Sequence, residues 1–385
     1  MTVDRRVLTG ALIIGLLVVA IALLEASGSS FWQGEAILLA IFVVLTVSLN
    51  LISGFTGLFS LGHIGFMALG VYGSAVLTLS VEKKAALLPD LPDWLAGVSL
   101  DQMVGPVPVG WLVATVIAGL LVSLVGLAVG AVIMRLSGNF VAVATLGFLV
   151  IVRVVLINAD SFTRGSRTFS GVTPFTDLWW SWAWAVLAVF VVWRIKRSPW
   201  GRQMLAQRAD RWASQAVGIP ILRPRLVAFV ISAFFAAVAG SLYAHFIPAF
   251  SPSTFYFDLT FEVITMLVVG GLASVTGSVV GAVVIVALTE ALRRVEDTTQ
   301  LYGMSGIALG AFFLAIIIFR PEGSWASASC RPTGYDARPA GRAADRRGPA
   351  PTGPAPGAAS DGAAPRLAPP ARPAGASRAA PRRPR

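Results

Sequence analysis

Apolar stretches of bilayer-crossing length recur along most of this 385-residue chain. A span needs about twenty predominantly apolar residues, with a working range of about 17–25. Ten candidates follow in order: Val7–Ala26, Glu35–Ser53, Ile64–Val81, Gly110–Met134, Phe140–Ile157, Leu178–Trp193, Leu226–Phe246, Leu259–Val275, Gly277–Leu292 and Gly303–Phe319. Only 13% of residues are charged and 56% are hydrophobic. A soluble domain is about one-quarter charged, so this apolar surface needs a solvent other than water. The expected fold is all-α, a polytopic membrane bundle of about ten transmembrane helices with Gly-rich breaks. The first stretch has signal-peptide features, with Arg5-Arg6 before it and Ala26-Ser27-Gly28 after it. Its apolar run is longer than the usual signal core, so it is read as a span.

Charge placement sets the expected orientation. Arg194, Lys196, Arg197, Arg202, Arg208, Arg211, Arg223 and Arg225 gather between the sixth and seventh stretches, opposed by Asp210. By the positive-inside rule that loop is cytoplasmic, and ten spans then put both termini on the same side. Lys83, Lys84, Arg164 and Arg167 fall outside, offset by Glu82, Asp90, Asp93, Asp101 and Asp160. Residues 1–325 read as one transmembrane domain, with a loop over about 196–225. Residues 326–385 are dominated by Pro, Ala, Gly and Arg, offer little apolar surface to bury, and are expected to be disordered. Eleven Arg against Asp336, Asp345 and Asp361 in this tail account for most of the net charge of +11. The abrupt change of composition suggests a frameshifted or unselected extension; a lipid-binding polybasic arm is the competing expectation.

Two Gly-rich interruptions carry the most information. One is Asn50-Leu-Ile-Ser-Gly-Phe-Thr-Gly-Leu-Phe-Ser-Leu-Gly-His-Ile-Gly-Phe66; the other is Gly270-Gly-Leu-Ala-Ser-Val-Thr-Gly-Ser-Val-Val-Gly-Ala282. A break inside an apolar region frees amides and carbonyls that hydrocarbon cannot satisfy, so it belongs inside protein or along a wet pathway. Asn50, Ser53, Gly54, Thr56, Gly57, Ser60, Gly62, His63, Gly270, Gly271, Ser274 and Gly277 are therefore candidate pathway residues. Small residues for helix packing and a short turn explain the same letters, and His63 alone reads as a hydrogen-bonded packing residue rather than a ligand or proton relay. In the basic loop, Ser198-Pro199 can start a helix, and Gly218 with Pro220 can stop it. That amphipathic segment is either a lever for a partner or an interfacial helix.

No catalytic constellation is present. Lys83, Lys84 and Lys196 are the only lysines, and none ends a phosphate-binding G-x-x-x-x-G-K motif. A single Cys330 and two histidines, His63 and His245, argue against a disulfide framework or a multi-ligand metal centre. No cofactor or metal is expected. Arg153 is placed to snorkel, and Glu290 is spaced to pair with Arg293 or Arg294.

Seven pieces in order resemble the M-type permease of bacterial branched-chain amino acid ATP-binding-cassette importers, over roughly residues 34–323. They are Leu49–Phe66, Asn139–Phe148, Pro199-Trp-Gly-Arg202, Ala228–Ala233, Ala239–Tyr243, Gly270–Gly277 and Phe319-Arg-Pro-Glu-Gly323. The resemblance implies a permease without enzyme activity of its own, in the bacterial cytoplasmic membrane. It implies a second related permease, two ATP-binding subunits that hydrolyse ATP, an external solute-binding protein and a small amino acid cargo. It also implies that Trp200–Gly218 is the loop that docks on the ATPase, with Trp200, Gly201, Arg202, Arg208, Asp210, Ala213, Ala216 and Gly218 as its candidate residues. The run Ala213-Ser-Gln-Ala-Val-Gly218 lacks the Glu usual at that place, and Arg164–Gly171 matches the external Gly-rich segment loosely. The tail after Gly323 lies beyond the resemblance. Urea or a short amide is an alternative cargo. A stand-alone secondary transporter or channel is the alternative class.

Overall fold

A computed structural model of the protein describes Gly15 and residues 18–26, 28–105, 107–300 and 303–319. Most of the first expected span and the whole tail after residue 319 lie outside the described residues. Residues 18–26 are helical. The labelled helices are α1 (Ser30–Leu49), α2 (His63–Thr78), α3 (Val81–Leu87), α4 (Asp93–Ala96), α5 (Val109–Ile133) and α6 (Asn139–Asn158). Then come α7 (Asp160–Thr163), α8 (Leu178–Arg197), α9 (Pro199–Ala209), α10 (Arg211–Ala216), α11 (Leu222–Ala244), α12 (Phe257–Gly270), α13 (Val275–Thr299) and α14 (Met304–Phe319).

Six helical segments are long and apolar enough to cross a membrane: Ser30–Gly54, Val109–Ile133, Asn139–Asn158, Leu178–Arg197, Leu222–Ala244 and Val275–Thr299. A seventh arises if α2 and α3, bent by 119° at their junction, count as one. The all-α membrane bundle fits; the expected ten spans do not follow from helix length. The helix within Leu259–Val275 stops at Gly270 after 14 residues, and α2 and α14 reach 16 each. At a rise of 1.5 Å per residue these are about 21–24 Å long, short of a 30 Å hydrocarbon core. At α12 it is the Gly-rich stretch beginning at Gly270-Gly271, read as apolar in a sequence window, that leaves the helix.

On much of α5 the soluble pattern is inverted, with small residues inside and leucines out. On α5, Ala114, Ala118, Gly119, Gly126 and Gly130 face inward, while Leu120, Leu121, Leu124 and Leu127 are exposed. Hydrocarbon is as apolar as leucine, so helices associate through close packing and hydrogen bonds rather than by hiding leucines. The α5 glycines accept Phe234, Ala233 and Phe229 of α11 in turn, and Thr115 Oγ1 lies 2.7 Å from Ser241 Oγ. The centre is α1, whose span is 83% buried, against 28–39% for α5, α6, α8 and α13. Around it α11 packs on α2 through backbone contact. A Cβ on Gly70 would collide with the Ala237 backbone, and one on Gly240 with the Met67 carbonyl. We expect Gly70→Ala to cost about 1–3 kcal/mol by overpacking, read as a lower melting temperature of purified protein in detergent. An unchanged melting temperature would contradict this packing.

At the bundle end opposite the basic segment, β1 (Phe169–Ser170) pairs antiparallel with β2 (Ala249–Phe250). Phe169 stacks on Phe250, and Tyr72 meets both rings edge-on. The loosely matching segment Arg164–Gly171 thus has a defined place. Arg153 does not simply extend outward, since its guanidinium lies 4.0 Å from the Tyr256 ring centroid. Glu290 accepts from Arg294 Nε at 2.9 Å, one of the two pairings its spacing allowed.

Candidate functional site

The first break begins as a widening of α1. Over Asn50–Gly54 the helix adopts π geometry, and the Phe55 N–H reaches back to Asn50 O at 3.1 Å. Such π turns leave local backbone groups short of their usual partners and cluster at functional sites. The chain then loops to Gly62, where a Cβ would strike the Thr145 carbonyl, and restarts as α2 at His63. Within the loop, the Ser60 N–H donates to Ser53 Oγ at 3.2 Å and the Leu61 N–H to Thr145 Oγ1 at 3.0 Å. Thr56 Oγ1 donates to Ile52 O at 2.6 Å.

The second break reverses the chain. A Cβ on Gly270 would hit Gly277 O and one on Gly281 would hit Met266 O, so α12 and α13 form an antiparallel hairpin in backbone contact. The turn between them places Gly271 at φ 94° and Ala273 at φ 65°. Ala273 is the strained member, because a left-handed backbone costs a Cβ-bearing residue about 1–2 kcal/mol.

Asn50 clasps the two breaks together across more than two hundred residues of sequence. Its Nδ2 donates to Ser274 O at 2.9 Å and to Ser278 Oγ at 2.8 Å, while its Oδ1 accepts from the Ala273 N–H at 2.9 Å. Gly54 must be glycine for this, since a Cβ there would overlap the Asn50 amide and sit 2.7 Å from Ala273 N. The basic segment then bonds to each break. Arg208 Nη1 donates to Gly54 O at 2.6 Å, and Lys196 Nζ donates to Ala273 O at 2.7 Å. One carbonyl freed by each interruption is thus satisfied by a cation of the basic segment.

His63 joins three helices. Its Nε2 lies 2.8 Å from Ser48 Oγ on α1 and its Nδ1 lies 3.4 Å from Ser232 Oγ on α11. Ser48 Oγ donates to Leu45 O and Ser232 Oγ to Ser48 O, so the ring is fixed inside a buried polar cluster. That is the geometry of a packing histidine.

The basic segment starts at the end of α8, where Lys196 lies, and continues as two helices. Ser198 caps the first, accepting from the Gly201 N–H at 3.3 Å with Pro199 in the opening turn. Gly201 packs on the backbone at the end of α8. Asp210 divides the segment, its Oδ1 accepting from the Trp212 and Ala213 N–H groups at 2.8 and 3.0 Å and so capping α10. Gly218 ends it at φ 81°. Arg202 approaches Arg197 O at 3.4 Å. Trp200 is partly exposed, whereas Trp212 and Val217 are 77% and 76% exposed. Ala213 and Ala216 belong to α10 beside them.

Among the candidates named from sequence, the structure brings Asn50, Gly54, Ser274 and Gly277 into one cluster and ties Arg208 to it. It keeps Ser60, Gly62 and His63 in the adjoining polar contacts, and Ser53, Thr56 and Gly57 beside Arg208 in a common cavity. Lys196, Ala273 and Ser278 were not singled out. Lys196 looked like one positive charge among eight, and nothing in the sequence marks Ala273 as left-handed. Trp212 and Val217 were not singled out either, although large apolar residues in a basic segment are a signal that could have found them. Among the described residues no group of three His, Cys, Asp or Glu is placed to hold a metal.

A bundle of apolar helices with Gly-rich breaks gathered at a basic end defines a multi-pass membrane protein of the transporter type. Residues 33–319 match the family of the branched-chain amino acid transport system permease component, and the chain belongs to that family. It is 28% identical over 322 residues to the high-affinity branched-chain amino acid transport system permease protein LivM of Escherichia coli, covering 75% of this chain and 68% of that one. The L-arabinose transport system permease protein AraH of Escherichia coli is 28% identical over 144 residues, 35% of this chain and 43% of its own. The autoinducer 2 import system permease protein LsrC of Klebsiella pneumoniae is 30% identical over 155 residues, 36% of this chain and 43% of its own. No solved structure matches the chain.

Proposed function

We propose that the chain is the transmembrane permease of an ATP-binding-cassette importer that carries branched-chain or similar neutral amino acids across the bacterial cytoplasmic membrane. Its partners are a second related permease, two ATP-binding subunits and an external solute-binding protein. Both termini and the basic segment face the cytoplasm, and the transmembrane domain ends near residue 325. The similarity to LivM over 75% of this chain supports the cargo class. The observation that carries the mechanism is the pair of bonds from Lys196 and Arg208 to the two helix breaks.

In this reading the segment Trp200–Gly218 docks on an ATP-binding subunit through Trp212 and Val217, whose exposure suits burial in a partner groove. Closure of the ATPase pair moves α9, α10 and the end of α8 that carries Lys196. Lys196 and Arg208 pass that movement to Ala273 and Gly54, and the hairpin and the π turn shift together because Asn50 joins them. The breaks, from Asn50 to His63 and from Gly270 to Gly277, border the pathway at its cytoplasmic end.

The test is uptake of leucine and, separately, urea into proteoliposomes holding the whole complex. Leucine uptake should need ATP, the ATP-binding subunits and the binding protein. Uptake by the chain alone would instead mark a stand-alone transporter, and transport of urea in place of leucine would overturn the cargo. Trp212→Glu should bring uptake to background with membrane insertion intact; normal uptake in that variant would remove Trp212 from the docking surface.

A further inference from the structure

We propose, resting on the amino acid reading of the cargo above, that Glu262 of α12 is the pathway residue that receives the cargo's ammonium group, with Arg293 of α13 taking its carboxylate. Glu262 lies eight residues before Gly270, about 12 Å along the axis from the hairpin turn. Lys196 meets that turn at Ala273 O, and α8 rises from there to Leu178 over about 27 Å. Glu262 thus stands near the middle of a hydrocarbon core about 30 Å thick.

Nothing in the fold uses this carboxylate. Among the described residues it makes no ion pair and no side-chain hydrogen bond, and Glu262 is partly exposed. It shares the open side of α12 with Asp258 and Phe261, both exposed. Its side chain is far shorter than the distance of about 12 Å to the nearer end of the span, so the charge cannot snorkel to water there. Hydrocarbon does not hold an unpaired carboxylate, so this side of α12 borders a wet path or protein. Toward the basic end the same hairpin is held by Asn50, so Glu262 lies directly above the breaks that border the pathway.

Arg293 supplies the opposite charge at a distance. It lies within electrostatic reach of Glu262 and of Glu35 on α1, yet it pairs with neither. Arg294 is already taken by Glu290. A carboxylate and a guanidinium held apart suit a solute that carries both charges on neighbouring atoms. An α-amino acid sets its ammonium on Glu262 and its carboxylate on Arg293, each as a charge-assisted hydrogen bond. A lone cation would meet Arg293 as well, and urea carries no charge for either group. Tyr243 of α11 is also near the Glu262 charge, and Phe261 adjoins it at 52% exposure, so apolar surface for a branched side chain lies alongside.

Carboxyl labelling of the assembled complex in detergent tests the site. A water-soluble carbodiimide with glycine ethyl ester amidates carboxyl groups open to water, and peptide mass spectrometry reads each position. Glu262 should be modified. Millimolar leucine should slow its modification, whereas isocaproate, which is leucine without the amino group, and urea should not. In proteoliposomes Glu262→Gln should lower leucine uptake about tenfold with the complex assembled, the scale of one charge-assisted hydrogen bond. Glu262→Asp should recover part of that loss, which a packing role alone would not give. Arg293→Gln, at an exposed position, should also lower uptake. An unmodified Glu262, or equal protection by isocaproate, overturns the proposal. Full leucine uptake in Glu262→Gln overturns it too, and leaves the amino acid cargo standing. Protection by urea in place of leucine overturns both. If Glu262→Gln loses assembly with the second permease, the carboxylate meets a cation of that partner and the pathway assignment is wrong.

Discussion

Asn50→Ala should lower the stability of the purified chain by about 3 kcal/mol and strip the Ala273 amide of its protection from hydrogen exchange. The substitution removes three hydrogen bonds, but their loss is uneven. Ser274 O still accepts from Ser278 Oγ at 3.1 Å, so the carbonyl and the hydroxyl keep each other. The Ala273 N–H loses its acceptor, at a backbone position already strained by its positive φ. An orphaned buried donor costs about 1–3 kcal/mol, and the cavity left by the amide adds to it. Asn50→Asp separates hydrogen bonding from shape. It keeps an acceptor for Ala273, but turns a second carboxylate oxygen toward Ser274 O where a donor stood. It should therefore be no more stable than Asn50→Ala despite its matching size. Hydrogen exchange and denaturant unfolding in detergent would measure both. Native-like protection of Ala273 in Asn50→Ala would mean that the hairpin turn holds itself and that Asn50 is not the clasp.

That outcome bears on what a sequence of this kind discloses. Both breaks were legible because Gly, Ser and Thr cluster where hydrocarbon would demand an unbroken helix. Asn50 stood out as an amide at the edge of an apolar run. Its partners did not, because hydrogen bonds spanning 223, 224 and 228 residues leave no local trace. The far end of Leu259–Val275 was over-read for a related reason. Hydropathy counts Leu272 and Val275 as apolar wherever the chain points, while the backbone of Gly270 against Gly277 turns it around. The basic segment was legible at both ends, through Ser198-Pro199 and Gly218, but its division at Asp210 was not. A lone acid among arginines reads as charge balance, and only geometry reveals it as the cap of α10.

Lys196→Met and Arg208→Met should each reduce ATP-driven uptake about tenfold while the assembled complex goes on hydrolysing ATP. Methionine keeps a long apolar side chain and removes the donor to Ala273 O or to Gly54 O, and at Lys196 also the cation 5.5 Å from the Phe55 ring. A charge-assisted hydrogen bond contributes about 1.5–3 kcal/mol, and a tenfold effect corresponds to about 1.4 kcal/mol. The two bonds end on different breaks, but Asn50 makes the breaks one body. If movement of the basic segment reaches the pathway through that body, the double variant should fall well short of a hundredfold loss. Independent contacts would instead multiply. Assembly with the ATP-binding subunits is the control, because both residues lie in or beside the segment proposed to dock. Uptake and hydrolysis lost together with assembly would make them docking residues. Full uptake in both variants would show that motion enters the bundle elsewhere. Uncoupled hydrolysis, with a double variant no worse than about tenfold, would identify the cations of the basic segment as the mechanical link to the two broken helices.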